Sequence, residues 1–158
     1  MSAQTSSPWI VEQHWDVRYQ HIADAVSATF LRTLRDEGRL LGIRCPRCER
    51  VLAPPRPLCD IDFCATEGWV ELGTQGTLEM FTIVSVPVAG APEPPYVLAY
   101  VRLDGADTPL PGLLEGIELD SVDAAMASLH SGMRIDLALA VERVGRMSDV
   151  RFRLAGQS

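Results

Sequence analysis

The chain has 158 residues, 47% of them apolar, which suits one domain or one domain with a small appendage. Its formal net charge is −7, and an acidic protein repels a polyphosphate backbone, which argues against general nucleic-acid binding. All fourteen basic residues are arginine, so chemistry that needs a lysine Schiff base or a lysine general base is excluded.

The sequence contains neither a secretory leader pattern at its start nor a run approaching the ~20 apolar residues that span a bilayer. We therefore expect a cytoplasmic protein that does not associate with membranes. In the cytoplasm thiols stay reduced, so clustered cysteines there indicate a metal site more often than a disulfide.

The first part of the chain is predicted to be a tail followed by a helix. Residues 1–15 offer little to bury and are expected to form a flexible tail. An amphipathic helix is predicted over residues 16–38, because Ile22, Val26, Phe30 and Leu34 recur every four positions and Gly38 suits a helix end. Its apolar face is expected to pack on the rest of this chain or on a partner subunit.

Residues 39–68 contain all four cysteines and have no sustained periodicity. Cys45 and Cys48 form a C-x2-C pair, and Cys59 and Cys64 form a C-x4-C pair. Paired thiolates on tight turns present their sulfurs to one point, which is the arrangement of a tetrahedral zinc ribbon. The segment is therefore predicted to be a zinc ribbon with structural Zn²⁺ held by Cys45, Cys48, Cys59 and Cys64. Four thiolates would also hold iron, but nothing else in the chain indicates redox chemistry.

The second cysteine pair leaves the fourth ligand open. Asp62 stands three residues after Cys59, where a C-x2-C pair would place its second sulfur. Carboxylate is a legitimate zinc ligand, so Asp62 is the alternative to Cys64. Cys64 is preferred here because zinc already bound by three sulfurs favours a fourth thiolate.

Arginines are concentrated around this segment. Residues 31–56 contain seven arginines and three acids, a local balance of +4, so the rest of the chain carries −11. Arg44, Arg47 and Arg50 flank the first cysteine pair and are expected to offset the negative charge of the metal–thiolate site. Contact with an anion such as the phosphates of CoA is the second hypothesis for them.

Residues 69–158 are predicted to form a barrel. Five segments show strand patterns, namely residues 69–73, 76–89, 95–104, 133–144 and 149–155. A short helix is predicted at residues 121–129, with Val122, Ala125, Met126 and Leu129 on its apolar face. The proline-rich residues 89–95 are predicted to be an exposed loop. Five strands with one intervening helix indicate a Greek-key barrel of the OB type, and a generic β-sandwich is the competing fold.

No pattern in the chain indicates catalysis of its own. It contains no Gly-x-Ser-x-Gly elbow, no His-Glu-x-x-His helix and no phosphate-binding glycine-rich loop. Its three histidines, His14, His21 and His130, are interpreted as exposed or docking residues, and Met126 and Met133 as core residues.

Several of these segments together resemble a known family. "LRDEGRLLGIRCPRCERVLAPPRPLC", "WVELGTQGTLEMFTIV", "PYVLAYVRLD" and "SGMRIDLAL" are similar to the zinc-ribbon plus OB-fold proteins that act as accessory subunits of thiolase-like enzymes. The resemblance runs from about Thr29 to the end of the chain. The family usually has two C-x2-C pairs, so Asp62 stands where its fourth cysteine is expected.

The resemblance implies a mainly β protein with an N-terminal helix, a rubredoxin-like ribbon and an OB barrel. It also implies a non-catalytic subunit that stabilises a thiolase-like acyl-transfer, condensing or retro-aldol enzyme in a hetero-oligomer, the partner carrying the catalytic residues. Acyl-CoA bound at the shared interface is a further implication. A nucleic-acid-binding ribbon and barrel protein is the alternative, which would need exposed aromatic residues and a basic groove.

Overall fold

The computed structural model describes residues 9–13, 20 and 22–156. Within these residues, two α-helices and eight strands follow one another. Their bounds are α1 Ala25–Glu37, β1 Leu41–Arg44, β2 Val51–Leu52, β3 Trp69–Glu71, β4 Gln75–Val84, β5 Tyr96–Leu103, β6 Leu110–Glu115, α2 Val122–Ser128, β7 Arg134–Leu139 and β8 Val150–Leu154. Neither helix in this described part is long and apolar enough to cross a membrane.

Helix α1 starts later than the apolar spacing predicts. The Asp24 carboxylate accepts hydrogen bonds from the N–H groups of Val26 and Ser27 at 2.9 and 3.0 Å, which caps the helix and fixes its first turn. Ile22 therefore lies before the helix and is 99% exposed, so its place in the predicted apolar stripe is wrong. Most of the predicted tail, including His14, lies outside the described residues. Residues 16–19 and His21 of the predicted helix also lie outside them.

The end of α1 agrees with the sequence. Gly38 follows the helix with φ +66°, and its N–H donates to the carbonyl of Leu34. Glycine adopts this left-handed conformation without the steric cost that a Cβ brings. Phe30 and Leu34 are buried in the same core as the barrel, so the apolar face of the helix packs on this chain itself.

The ribbon is built on a three-stranded antiparallel sheet in the order β2-β1-β3. Its third strand, Trp69–Glu71, is the segment that the sequence assigned to the barrel. It pairs with β1 through Gly42 and Val70, so the first residues of the predicted barrel complete the ribbon sheet instead.

The remaining strands form a closed five-stranded barrel in the order β4-β5-β6-β8-β7. All neighbouring pairs are antiparallel except β6 and β8, which run parallel. Strand β4 also carries an irregularity between Leu78 and Met80; a bulge of this kind bends a strand as barrel closure requires. The predicted mainly β fold with a five-stranded OB barrel is confirmed.

One barrel strand, β6, is absent from the sequence prediction. Its segment contains Pro111 and Gly112, two residues that ordinarily interrupt strands. Gly112 is required by packing, because a Cβ at this position would lie 2.6 Å from the ring of Phe152, which is fully buried in the barrel. Beside it, the proline-rich loop at residues 89–95 is largely exposed, as predicted.

Helix α2 forms where the sequence places it. Met126 in this helix is less buried than predicted, and β7 ends earlier than predicted. Ala125 and Leu129 are buried, whereas Met126 is 48% exposed. The strand predicted over residues 133–144 ends at Leu139, and Val141 beyond it is 98% exposed. Met133 is partly buried against the core.

The ribbon and the barrel are joined by hydrogen bonds and by a shared core. The Thr108 hydroxyl, which is buried, accepts from the Ala53 N–H at 2.7 Å and donates to the Ala53 carbonyl at 2.9 Å. The N–H of Val51 donates to the Asp107 carboxylate at 2.8 Å, and the Asp107 N–H donates to the Val51 carbonyl at 2.8 Å. Val51 and Ala53 also belong to the apolar cluster that fills the barrel, so the ribbon cannot move freely relative to the barrel.

A buried carboxylate organises the loop before β8. Asp149 is 3% exposed, and its Oδ2 accepts the N–H groups of Val144, Gly145 and Arg146 at 2.9, 2.7 and 3.0 Å. Asp149→Ala leaves these donors without their acceptor, and we expect it to lower the free energy of unfolding by about 2 kcal/mol. Chemical denaturation measures this, with the exposed Asp120→Ala as control. A loss below about 0.5 kcal/mol for Asp149→Ala would contradict this account of the loop.

Candidate metal centre

The two loops of the ribbon bring thiols and one carboxylate to a single point. The first loop carries Cys45 and Cys48 after β1, and the second carries Cys59 and Asp62. One ligand atom from each of these four residues lies within 4.8 Å of every other. Cys45 and Cys59 are buried, and Cys48 and Asp62 are partly buried.

The predicted set of four thiolates differs from this group at one residue. Cys64 Sγ lies 3.6 Å from Cys45 Sγ, but Cys64 does not belong to the group in which all ligand atoms lie close together. Asp62 Oδ2 takes that place, 3.4 Å from Cys45 Sγ and 3.7 Å from Cys59 Sγ. The structure therefore brings the first three predicted ligands together and adds the carboxylate.

The distances fit a zinc ion. With Zn–S bonds of about 2.3 Å and Zn–O bonds of about 2.0 Å, ligand atoms at the corners of a tetrahedron stand roughly 3.8 Å apart for two sulfurs and roughly 3.5 Å apart for sulfur and oxygen. Cys48 Sγ and Cys59 Sγ are 3.7 Å apart, and the two sulfur–oxygen distances to Asp62 are close to the second value. A bound zinc ion would tie the two loops together and would have a structural role.

The thiols and the carboxylate influence one another's protonation. The Asp62 carboxylate raises the pKa of Cys48 to about 12, because it accepts a hydrogen bond from the neutral thiol. The same interaction, with a smaller one from Cys45, lowers the pKa of Asp62. Burial raises the pKa of Cys64. At Cys45 burial acts in the same upward direction, but the backbone N–H groups of Cys48 and Arg47 stabilise the thiolate and lower its pKa.

The three arginines next to the first cysteine pair have different roles. Arg50 forms an ion pair with Asp60 of the second loop, with 3.1 Å between Nη1 and Oδ1. Arg44 donates to the Glu49 carbonyl at 2.9 Å. Arg47 is exposed, and its charge contributes to the low pKa of Asp62. Of the three, Arg47 is thus the one that acts on the charge of the site, while Arg50 joins the two loops.

The second loop also exposes a set of large apolar side chains, which the sequence analysis did not single out. We call Leu58, Ile61 and Phe63 the knuckle patch; they are 57, 58 and 82% exposed. Phe63 has φ +51°, a conformation that is unusual for a bulky residue. The sequence carries one signal for this patch. Its three apolar residues lie in a loop that metal ligands organise, and such a loop has no core of its own to bury them.

The fold and the site define the class of this protein, a rubredoxin-like zinc ribbon followed by an OB-fold barrel. Two sequence profiles match it in succession. Residues 32–68 match the rubredoxin-like zinc ribbon domain of ChsH2, and residues 69–140 match the C-terminal OB-fold domain of ChsH2. The chain belongs to the ChsH2 family, and its ribbon is a zinc-binding domain.

The chain is similar to several solved structures, including the following two. A chain of the Ltp2-ChsH2(DUF35) aldolase superimposes with a TM-score of 0.65 at 25% identity, covering 86% of this chain and 99% of that one. A protein of unknown function from the DUF35 family of Sulfolobus solfataricus gives a TM-score of 0.59 at 18% identity, covering 82% and 85%, which shows likeness of fold alone. Comparison with curated protein sequences gives no match.

Proposed function

We propose that this chain is a non-catalytic accessory subunit of a thiolase-like acyl-transfer, condensing or retro-aldol enzyme. The observation that carries the proposal is the succession of both ChsH2 domains, together with a likeness that covers 99% of a chain of the Ltp2-ChsH2(DUF35) aldolase. The name of that aldolase joins ChsH2 to a second protein, Ltp2. We propose an assembly of the same kind for this chain.

The placement of the chemically reactive side chains supports a non-catalytic role. All four cysteines lie in the ribbon, where the contacts of their sulfurs are with one another, with Asp62 and with backbone N–H groups. His130 lies in the turn before β7, and its Nδ1 is 3.0 Å from the Ser131 carbonyl. Three of these thiols belong to the metal group. His130 is not among the contacts of the four sulfurs, so it does not activate any of them as a nucleophile.

The knuckle patch supports a protein partner. The Phe63 ring is 82% exposed and lies outside the apolar core. Large apolar side chains of this kind are typical anchors in protein–protein interfaces. We infer that the patch contacts the thiolase-like subunit.

An apolar cleft on the barrel supports a contribution to the acyl channel. The cleft encloses about 270 Å³. It is formed by β5, β6, the turn that leads into β8 and the proline-rich loop, and its lining includes Pro92, Tyr96, Leu98, Leu113 and Met147. Such a surface suits an acyl chain and offers almost no polar group to a CoA phosphate. Acyl-CoA at the shared interface would therefore place its acyl part here and its phosphates elsewhere.

The proposal is tested by tagging the full chain in its own host and purifying it at moderate salt without chelator. Mass spectrometry then identifies the proteins recovered in stoichiometric amount. We expect a thiolase-fold protein. Recovery of nucleic acid alone, or of no thiolase-fold protein, would overturn the proposal.

A further inference from the structure

The two loops of the ribbon repeat each other at an interval of fourteen residues, from Cys45 to Cys59. In the first loop, the Cys45 N–H donates to the Arg50 carbonyl at 2.9 Å. In the second, the Cys59 N–H donates to the Cys64 carbonyl, also at 2.9 Å. The residue that closes each loop is therefore Arg50 in the first and Cys64 in the second.

The interior of the loops repeats in the same register. The Glu49 N–H donates to the Cys45 carbonyl at 3.0 Å, and the Phe63 N–H donates to the Cys59 carbonyl at 3.1 Å. Glu49 and Phe63 are also the two described residues other than glycine with positive φ, at +63° and +51°. Each loop thus has its positive-φ residue at the same position, immediately before the closing residue.

The sulfur of the first cysteine in each loop accepts the same kind of hydrogen bond. Cys45 Sγ accepts the N–H of Arg47 at 3.4 Å, and Cys59 Sγ accepts the N–H of Ile61 at 3.4 Å. Because every step of the two loops corresponds, Asp62 occupies in the second loop the position that Cys48 occupies in the first.

This correspondence assigns the ligands. Cys48 ends the first C-x2-C pair and lies in the metal group, so its counterpart Asp62 lies in the group as well. Cys64 corresponds to Arg50, whose side chain pairs with Asp60, and Cys64 itself lies outside the metal group. Ligand softness alone favours Cys64 over Asp62. That argument does not consider which position of the loop each residue occupies.

We propose that Asp62 is the fourth zinc ligand, in a site of three thiolates and one carboxylate, and that Cys64 is a free thiol beside it. Three thiolates and one carboxylate leave the same net charge around Zn²⁺ as four thiolates do. The carboxylate is a harder donor than a thiolate, so the site binds zinc less tightly than a four-cysteine ribbon.

The inference is tested on the purified full chain without any partner, so its outcome is independent of the proposed function. Zinc affinity is measured by competition with a chromophoric chelator for the wild type, Cys64→Ser, Asp62→Ala and Asp62→Cys. We expect Cys64→Ser to stay within about twofold of the wild type, Asp62→Ala to bind at least about tenfold more weakly, and Asp62→Cys to bind more tightly. A tenfold loss in Cys64→Ser with no loss in Asp62→Ala would overturn the assignment.

Cobalt spectroscopy gives a second readout that does not depend on stability. Substituted Co²⁺ shows charge-transfer absorption in proportion to the number of thiolates bound to it. Cys64→Ser is expected to leave this absorption unchanged, whereas Asp62→Cys is expected to raise it by about one third as three thiolates become four. A loss of about one quarter in Cys64→Ser would identify Cys64 as a ligand and contradict the proposal.

Discussion

Replacement of Cys45 by serine is expected to abolish zinc binding and to unfold the ribbon. Cys45 is fully buried, and its sulfur lies 3.4 Å from Oδ2 of Asp62, another member of the metal group. Structural zinc contributes on the order of 10 kcal/mol to domains of this kind, and hydroxyl oxygen is a poor substitute for a thiolate. Zinc content, measured by mass spectrometry of the native protein, is expected to fall from about one ion per chain to near zero.

The loss should extend beyond the ribbon, because Val51 and Ala53 reach into the barrel core. We expect a lower Tm for Cys45→Ser in thermal unfolding followed by circular dichroism. Wild-type protein stripped with a chelator is the matched control and should show the same lowered Tm. Full zinc occupancy and an unchanged Tm in the variant would contradict the assignment of Cys45 as a structural ligand.

Replacement of Phe63 by serine is expected to weaken binding of the thiolase-like subunit without affecting the fold. The ring is 82% exposed, so removing it costs this chain little stability. An aromatic anchor in an interface typically contributes about 2 kcal/mol, which corresponds to roughly a thirtyfold rise in Kd. Isothermal titration calorimetry with the thiolase-fold protein recovered from the host measures this change.

The control for this experiment is Met126→Ser, which removes an exposed apolar side chain from α2. It should leave Kd within about twofold, and both variants should retain wild-type zinc content and Tm. A Phe63→Ser protein that binds the partner as tightly as the wild type would exclude the knuckle patch as the docking surface.

The sequence predicted the class of fold because its strongest signals are local. Cysteine spacing indicated the ribbon. Apolar and β-branched runs indicated β4 and β5, and alternating apolar residues indicated β7 and β8. The start of α1 was placed too early because the apolar spacing continues through Ile22, whereas the Asp24 cap decides where the helix begins.

The membership of the barrel depended on contacts that local patterns do not contain. The count of five strands was correct, but β3 pairs with the ribbon, and β6 takes its place in the barrel. Pro111 and Gly112 concealed β6, although Gly112 is there to accommodate the ring of Phe152, forty residues further along. No pattern within β6 itself reveals that requirement.

Three of the four residues in the metal group were predictable from the sequence. Spacing identified Cys45, Cys48 and Cys59, and it left the choice between Asp62 and Cys64 to ligand chemistry. The structure adds the backbone repeat of the two loops, which places Asp62 opposite Cys48. The knuckle patch was not predicted because exposure of an apolar residue in an irregular loop is a property of the folded ribbon.

If this chain is an accessory subunit, the mass of its assembly with the partner shows it. Sedimentation velocity is measured for the purified zinc-loaded chain, for the thiolase-fold protein recovered with it, and for their mixture. We expect one faster species that contains both proteins in a fixed ratio and resists dilution to the micromolar range. Two species that sediment as they do separately, at every mixing ratio, would contradict the accessory role.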